Sequence, residues 1–532
     1  MASQMNRLPS RKWSIAALGL AGVAMVVLSY LLVIALALGC LALPVFLLWY
    51  LPLGGPVNLV IYRLLLSAFG LVAGPTILWS LVPSDDQHEI NGIRIDLVQE
   101  KRLAKEIEAI AGALRESMPS EVYLISDANA FVSERNATKG FGRRRILALG
   151  LPLLQMLTIE QFRAVLAHEF AHYYAGDTRL GPWVYEARGS LMRVYENLGK
   201  NSNVLRHIRR LGIVSVVYRL LMGGLRMYWR VFMRITQAIS RRQESRSDEL
   251  ACYIAGSQPL IDGLEGIRRC NAGLSAFWSS YVMPVAMGGF QPDLANGFRQ
   301  FMQVPQVVKA TSEFLSHQTS VAKPSPFDSH PPLSERIDRA RHINVPAAHG
   351  SVLENAGLPV ISLIESVGSL EACLLKKVVP SLAAADLKPL NWETAGTDIY
   401  IPAWRKRVAN FLPFLSAKRM GDLPLLVLDP RLVTELLPNR SSGRLDQTQR
   451  FASAYDVLFC VLVLCLLENG WKLIAQPGYL TLENGASTVD PAKVIGAIRN
   501  GTLSVVAWRD FRAERGIGDW PLAASTASPS AS

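Results

Sequence analysis

The run Ala167-His168-Glu169-Phe170-Ala171-His172 carries two histidines four positions apart, with a glutamate directly after the first. On a helix, positions i and i+4 share one face, so both imidazoles can reach a single metal ion. Glu169 is turned about 100° from His168 around the same helix. It therefore lies beside such an ion, where it can take a proton from an activated water. A structural zinc closes with four protein ligands, whereas a hydrolytic zinc takes three and leaves one position open. Downstream, Glu244 and Asp248 are again four apart. Glu244 can be the third ligand, and Asp248 can accept a hydrogen bond from a ligand histidine and set its tautomer. One zinc ion per chain is the cofactor this pattern implies. Taken alone, a Glu–Asp pair at this spacing is common on solvated helix faces. Two surface histidines on an amphipathic helix would be the bland alternative, but Ala167, Phe170 and Ala171 make the surroundings small and apolar.

These side chains need a helix to hold them. Thr158 is suited to cap it, with Gln161 three residues on as in a capping box, and Ile159, Phe162, Val165 and Leu166 supply a buried face. Upstream, residues 97–117 show helical periodicity. Short runs at 121–126, 130–133 and 145–149 read as strands of a small sheet, with a basic glycine-containing loop between the last two.

The N-terminal region has a different character. No charged residue occurs from Ser14 to Tyr50, a stretch of 37 positions, where about 20 apolar residues suffice to cross a bilayer. A second apolar run from Pro56 to Val82 is interrupted only by Arg63. Two transmembrane helices, 15–40 and 57–81, are expected. A cleaved signal peptide fits poorly, because the first run is too long and a second follows. Arg7, Arg11 and Lys12 precede the first span and favour a cytoplasmic N-terminus, with the remaining chain returned to the same side. The expected location is the cell's inner or plasma membrane, with the catalytic domain cytoplasmic.

The chain of 532 residues has 55 Lys+Arg against 43 Asp+Glu, a formal charge of +12. Between Lys200 and Arg246 there are eleven basic residues and one acidic residue, Glu244. Arg219, Arg226, Arg230 and Arg234 form one stripe on an otherwise apolar helix at 211–239, expected at the membrane interface or packed across the first two spans. With apolar surface beside this excess and no nucleic-acid module in the chain, the bilayer is the expected partner and nucleic acid is not. Six scattered cysteines without a C-x-x-C argue against a disulfide scaffold and for buried thiols. Residues 345–352 look like a linker. Beyond them, 456–467 reads as a core helix too short to span easily, and 471–488 as a hairpin turning at Pro477-Gly478. The last residues form a polar tail.

The order H-E-x-x-H, then Glu244-x-x-x-Asp248 about 70 residues later, then Ser329-His330-Pro331-Pro332-Leu333-Ser334-Glu335-Arg336, resembles the HtpX-like zinc metalloproteases. These are gluzincins of metallopeptidase family forty-eight, which also holds the CAAX prenyl proteases. Over roughly 85–342 the resemblance implies His168, His172 and Glu244 as zinc ligands, Glu169 as general base and acid, and Asp248 as the partner behind the ligands. It implies that His330 and Arg336 steady the oxyanion and orient the substrate. Asn129-Ala130-Phe131 resembles the strand bordering the family's substrate cleft, making Asn129 a substrate-binding candidate. This chain departs from the family pattern at Ser245-Arg246-Ser247, where a large residue follows the glutamate and an alanine precedes the aspartate in most members.

The expected fold is α+β and mainly helical. A membrane anchor at 1–84 precedes a zincin-type catalytic domain at 85–344 with a small edge-strand sheet. A C-terminal α+β region at 353–520 and a disordered tail at 521–532 follow. The expected function is a membrane-bound zinc metalloendopeptidase acting on protein or peptide substrates, in membrane or misfolded-protein quality control. A non-catalytic membrane adaptor or sensor with a structural or vestigial zinc site is the alternative. Nothing in the sequence sets the oligomeric state.

Overall fold

The computed structural model describes residues 12–50, 56–82, 90–135, 144–174, 177–200, 212–321, 331–343, 356–434 and 447–523. The described chain is mainly helical, with sheets of four, two and three strands. It divides into two compact units. One takes in Met1–Arg268 with Gln318–Ser366, the other Arg269–His317 with Val367–Ser532. The basic loop at 139–144, the linker at 345–352 and residues 524–532 of the tail expected at 521–532 lie wholly or almost wholly outside the described residues, whereas 521–523 are ordered, with Leu522 buried and its N–H donating to the Lys418 carbonyl at 2.9 Å.

The first unit begins with helices α1 (Lys12–Val45) and α2 (Val57–Trp79). Helix α1 is longer than the expected 15–40, because its apolar run continues through Pro44 into a π-helical turn at Phe46–Tyr50. Candidate membrane spans cover Gly22–Tyr50 and Val57–Trp79. The two helices approach closely at Gly70 and Gly74, one turn apart. A Cβ on Gly70 would stand 2.3 Å from the Cys40 carbonyl oxygen, and one on Gly74 would stand 2.6 Å from Leu41. Small residues at this spacing are what let membrane helices pack backbone to backbone.

Strands β1 (Gly92–Ile95), β2 (Glu121–Ile125), β3 (Ala130–Arg135) and β4 (Arg144–Gly150) form one sheet in the order β1-β2-β4-β3. Helix α3 (Lys101–Ala113) lies between the first two in sequence. Strand β2 runs parallel to β4, and β3 is an edge strand antiparallel to it, with Val132 opposite Leu147. A short helix α4 (Leu151–Met156) leads into α5 (Ile159–Tyr174), which carries the two histidines.

Helices α6 (Asp177–Lys200) and α7 (Gly212–Ala255) follow. They form a hydrophobic cluster with the spanning pair, in which Val33, Phe69, Ile77, Leu191 and Phe232 are buried together. Polar contacts fix the fit: the Ser29 and Tyr228 hydroxyls lie 2.8 Å apart, and Arg193 Nε donates to the Ser80 carbonyl at 3.1 Å. Of the segment expected at 211–239, the stretch from Tyr218 to Met233 is therefore packed on the first two spans, one of the two placements expected. Arg219, Arg226, Arg230 and Arg234 are all exposed along it. Helix α7 does not end there. It runs on unbroken for 44 residues and carries Glu244 and Asp248 in its last third. Helix α8 (Ser257–Phe277) follows α7, and helix α9 (Leu333–His342) carries Arg336.

In the second unit, the helix Gln447–Glu468 is longer than the expected 456–467, and its stretch Gln449–Glu468 is long and apolar enough to span a bilayer, so its length does not mark it as a core helix; its burial does. Leu458, Val461, Leu462 and Leu466 on it are buried among Trp471, Leu482, Ile498 and Trp508. Strands Lys472–Gln476 and Tyr479–Asn484 form the expected hairpin, with Gly478 at φ +82° in the turn and a third strand, Ser487–Val489, beside them. Strands Phe290–Pro292 and Lys388–Leu390 pair in parallel. The indole of Trp392 donates to the Asp293 carbonyl at 2.8 Å, joining the 269–317 and 367–523 segments.

Candidate metal centre

The N-terminus of α5 is built as the sequence implies. Thr158 N–H donates to Gln161 Oε1 at 3.1 Å, and Gln161 N–H donates to Thr158 Oγ1 at 3.3 Å, a reciprocal capping box. Two more of its amides are satisfied by a segment that sequence reasoning placed elsewhere. Ile159 N–H donates to the Leu358 carbonyl at 2.9 Å and Glu160 N–H to the Ala356 carbonyl at 3.2 Å. The same strap is held by Glu100, whose carboxylate accepts the amides of Glu365 and Ser366. Arg163 forms a two-pronged pair with Glu106 at 2.7 and 2.8 Å, fixing α5 against α3. Phe162, Leu166 and Phe170 are fully buried, so the helix cannot roll without opening the core.

From this fixed helix His168 and His172 project one turn apart, their rings perpendicular with centroids 4.9 Å apart. Helix α7 packs against α5 and brings Glu244 in front of both. Glu244 Oε2 lies 3.5 Å from His168 Nε2, and Oε1 lies 3.5 Å from His172 Nε2. One donor atom from each of the three residues lies within 4.8 Å of the others. Ligands held about 2.0–2.2 Å from a tetrahedral zinc lie roughly 3.3–3.6 Å apart, so the two imidazoles and the carboxylate fit zinc in chemistry and spacing. Among the described residues this is the one cluster of its kind.

Behind the ligands, Asp248 Oδ1 lies 3.0 Å from His168 Nδ1. An Nδ1–H donated to Asp248 leaves Nε2 free to bind metal. Arg336, on α9, grips the same aspartate: Nε donates to Oδ2 at 2.8 Å and Nη2 to Oδ1 at 2.6 Å. Its Nη1 lies 3.8 Å from Glu244 Oε2. The resemblance implied a substrate-facing role for Arg336, but its charged nitrogens meet residues of the ligand set. His330 lies outside the described residues.

The electrostatics follow from this crowding. Burial presses His168 toward the neutral form, but hydrogen bonds to Asp248 and Glu244 and the charge of Glu169 outweigh it and carry the pKa up to about 9. Burial also favours the neutral acid at Asp248, yet the hydrogen bonds from Arg336 and His168 hold its carboxyl below the ordinary range. Burial pushes Glu169 up to about 7, with His168 pulling the other way. Glu169 also accepts a hydrogen bond from the backbone of Val132, in the edge strand β3. The general-base candidate thus sits between the His168–His172–Glu244 cluster and β3, the outermost strand of its sheet among the described residues.

Asn129 lies at the start of that strand and is exposed. Its carbonyl accepts Gly150 N–H at 2.9 Å, and its Oδ1 accepts Ala130 N–H at 3.0 Å. A Cβ at Gly150 would stand 2.1 Å from the Asp127 carbonyl oxygen, so glycine lets β4 end tightly against this turn. Sequence reasoning missed Ser247, whose Oγ lies 3.3 Å from His172 Nδ1. Its place three residues after Glu244, on the same helix face, was the available signal.

The profile of Peptidase family M48 matches residues 98–344. Protease HtpX of Xylella fastidiosa (strain 9a5c) is 27% identical over 222 residues, covering 41% of this chain and 65% of the relative. Protease HtpX of Pseudomonas entomophila (strain L48) is 25% identical over 250 residues, covering 46% of this chain and 71% of the relative. No solved structure matches the chain. The chain thus spans just under two thirds of the Xylella relative, and the family profile's match at 98–344 takes in His168, His172, Glu244, Asp248 and Arg336. Residues 98–344 thus match the profile of Peptidase family M48, and the chain is similar to relatives named Protease HtpX.

Proposed function

We propose that the chain is a membrane-bound zinc metalloendopeptidase. The observation that carries this is the convergence of His168 Nε2, His172 Nε2 and the Glu244 carboxylate beside Glu169, which faces an edge strand. Zinc, when bound, supplies a Lewis acid that polarises a peptide carbonyl and makes water a better nucleophile. The rest falls to the protein. Glu169 takes a proton from the attacking water and passes it to the leaving amine. Strand β3 offers its outer edge to an extended substrate, whose backbone can pair there near Asn129. Asp248 holds His168 in the tautomer that ligates. His330 is carried over from the family motif as a group that acts on the oxyanion and the substrate, whereas Arg336, given the same role by the motif, acts through Asp248, which it grips.

The peptidase region is taken as 85–344, with a separate C-terminal region beyond 353. Arg7, Arg11 and Lys12 put the N-terminus in the cytoplasm, and two spans return the metal centre to that side. Because α7 packs on the spans and also carries Glu244, the site is tied to the membrane. Substrates that are themselves membrane-bound, or misfolded beside it, fit that position.

A non-catalytic role for the centre is less well supported, since a structural site has no use for a base beside three ligands. The test compares purified full-length chain with Glu169→Gln. Both should hold zinc, and only the unmodified chain should cleave an unfolded protein, with at least a hundredfold loss in the variant. Undiminished turnover in Glu169→Gln would remove that residue as the base.

A further inference from the structure

The geometry points to Ser247 as the positioning residue for His172, the counterpart of Asp248 for His168; this rests on the zinc centre proposed above. Three residues of one helix face serve the two histidines. Glu244 meets both Nε2 atoms at 3.5 Å. Asp248, four residues on, meets His168 Nδ1 at 3.0 Å, and Ser247, three residues on, meets His172 Nδ1 at 3.3 Å. Positions i, i+3 and i+4 share a helix face, so a single turn of α7 addresses both sides of both rings.

Ser247 is only 1% exposed, and its hydroxyl reaches the ring from inside the core. A serine hydroxyl can accept an N–H as well as donate. By accepting Nδ1–H it keeps the proton off Nε2 and fixes the ring plane, leaving Nε2 aimed at Glu244's side of the site. Partners of this kind raise metal affinity by roughly 10–100-fold in other sites. A neutral hydroxyl at 3.3 Å should act at the lower end of that range.

The test uses the isosteric pair Ser247→Thr and Ser247→Val in the full-length, detergent-purified chain. The two side chains share a shape, so any packing disturbance is common to both and only the hydroxyl differs. Zinc affinity is measured by chelator competition, and the visible absorption of the cobalt-loaded protein reports ligand geometry. Ser247→Thr should bind zinc about tenfold more tightly than Ser247→Val and should keep the unmodified cobalt spectrum, which Ser247→Val should alter. Ser247→Ala should resemble Ser247→Val. Equal zinc affinity and identical spectra in the Thr and Val variants would overturn the assignment while leaving the metal centre in place. An unmodified chain that bound neither metal would overturn the centre itself and this assignment with it.

Discussion

Replacing Arg336 by methionine keeps most of the side chain's volume and removes its charge. The structure says what that charge holds. Nε and Nη2 grip both oxygens of Asp248 at 2.8 and 2.6 Å, and the two side chains are about 10% and 3% exposed. Removing one partner of a buried pair costs roughly 3–5 kcal/mol when the other charge is left uncompensated. Here His168 Nδ1 still faces Asp248 at 3.0 Å, so the loss should fall at or just below the lower end, about 2–3 kcal/mol. An Asp248 freed from Arg336 is also a poorer guide for His168. Weakening such a partner lowers metal affinity by roughly 10–100-fold, or about 1.4–2.7 kcal/mol. The assay is a double-mutant cycle of Arg336→Met and Asp248→Asn, read by thermal unfolding and by zinc competition. Each single variant should lose stability and zinc affinity, and the double variant should lose much less than their sum. If Arg336→Met kept full zinc affinity and full stability while peptide turnover collapsed, the positioning role would be refuted. The substrate-facing role implied by the family motif would then stand.

Two further outcomes are expected. Glu244→Ala should abolish stoichiometric zinc binding, measured by metal analysis after dialysis, because it removes the ligand contributed by α7; full metal content would take Glu244 out of the ligand set. In the second unit, burial carries Glu371 from its ordinary 4.5 up to about 7, although it accepts the amides of Leu294 and Ala295 at 3.0 and 2.8 Å. A carboxyl raised in the folded state keeps its proton longer than in the unfolded state, so stability should fall as pH rises from about 4.5 to 7 and level off above, by up to roughly 3 kcal/mol. The unfolding midpoint followed by tryptophan fluorescence should show this slope, and Glu371→Gln should flatten it; an unchanged slope in the variant would locate the effect elsewhere.

What could be read from the sequence and what could not divides along the range of the interactions. The capping box of Thr158 and Gln161, the turn at Gly478 and the two histidines on one face are set by neighbours within four residues. Spacing alone carries such features. The spans were legible because a bilayer imposes a composition on every residue that faces it. The placement of Arg336 is of another kind. Its partner is 88 residues away, and a buried arginine near a metal centre can serve substrate or scaffold with the same local sequence. The strap at 356–366 was hidden for the same reason. Its own sequence has no helical or strand signal, and its order comes from the α5 amides and Glu100.

Helix α7 shows how the two kinds of information meet. Read as separate windows, 211–239 is an arginine-striped membrane segment and 244–248 a weak acidic pair. As one rigid helix, the first explains the second. Tyr228 and Phe232 fix the helix against the spans, and that same rod sets the height and rotation at which Glu244, Ser247 and Asp248 meet α5. A helix advances about 1.5 Å and turns about 100° per residue, so inserting one residue between Phe232 and Glu244 would swing the carboxylate away from both imidazoles while leaving the anchored end in place. The anchor therefore serves the metal centre directly. The spans hold Glu244, the proposed third ligand, in register, and their packing is part of what makes the site.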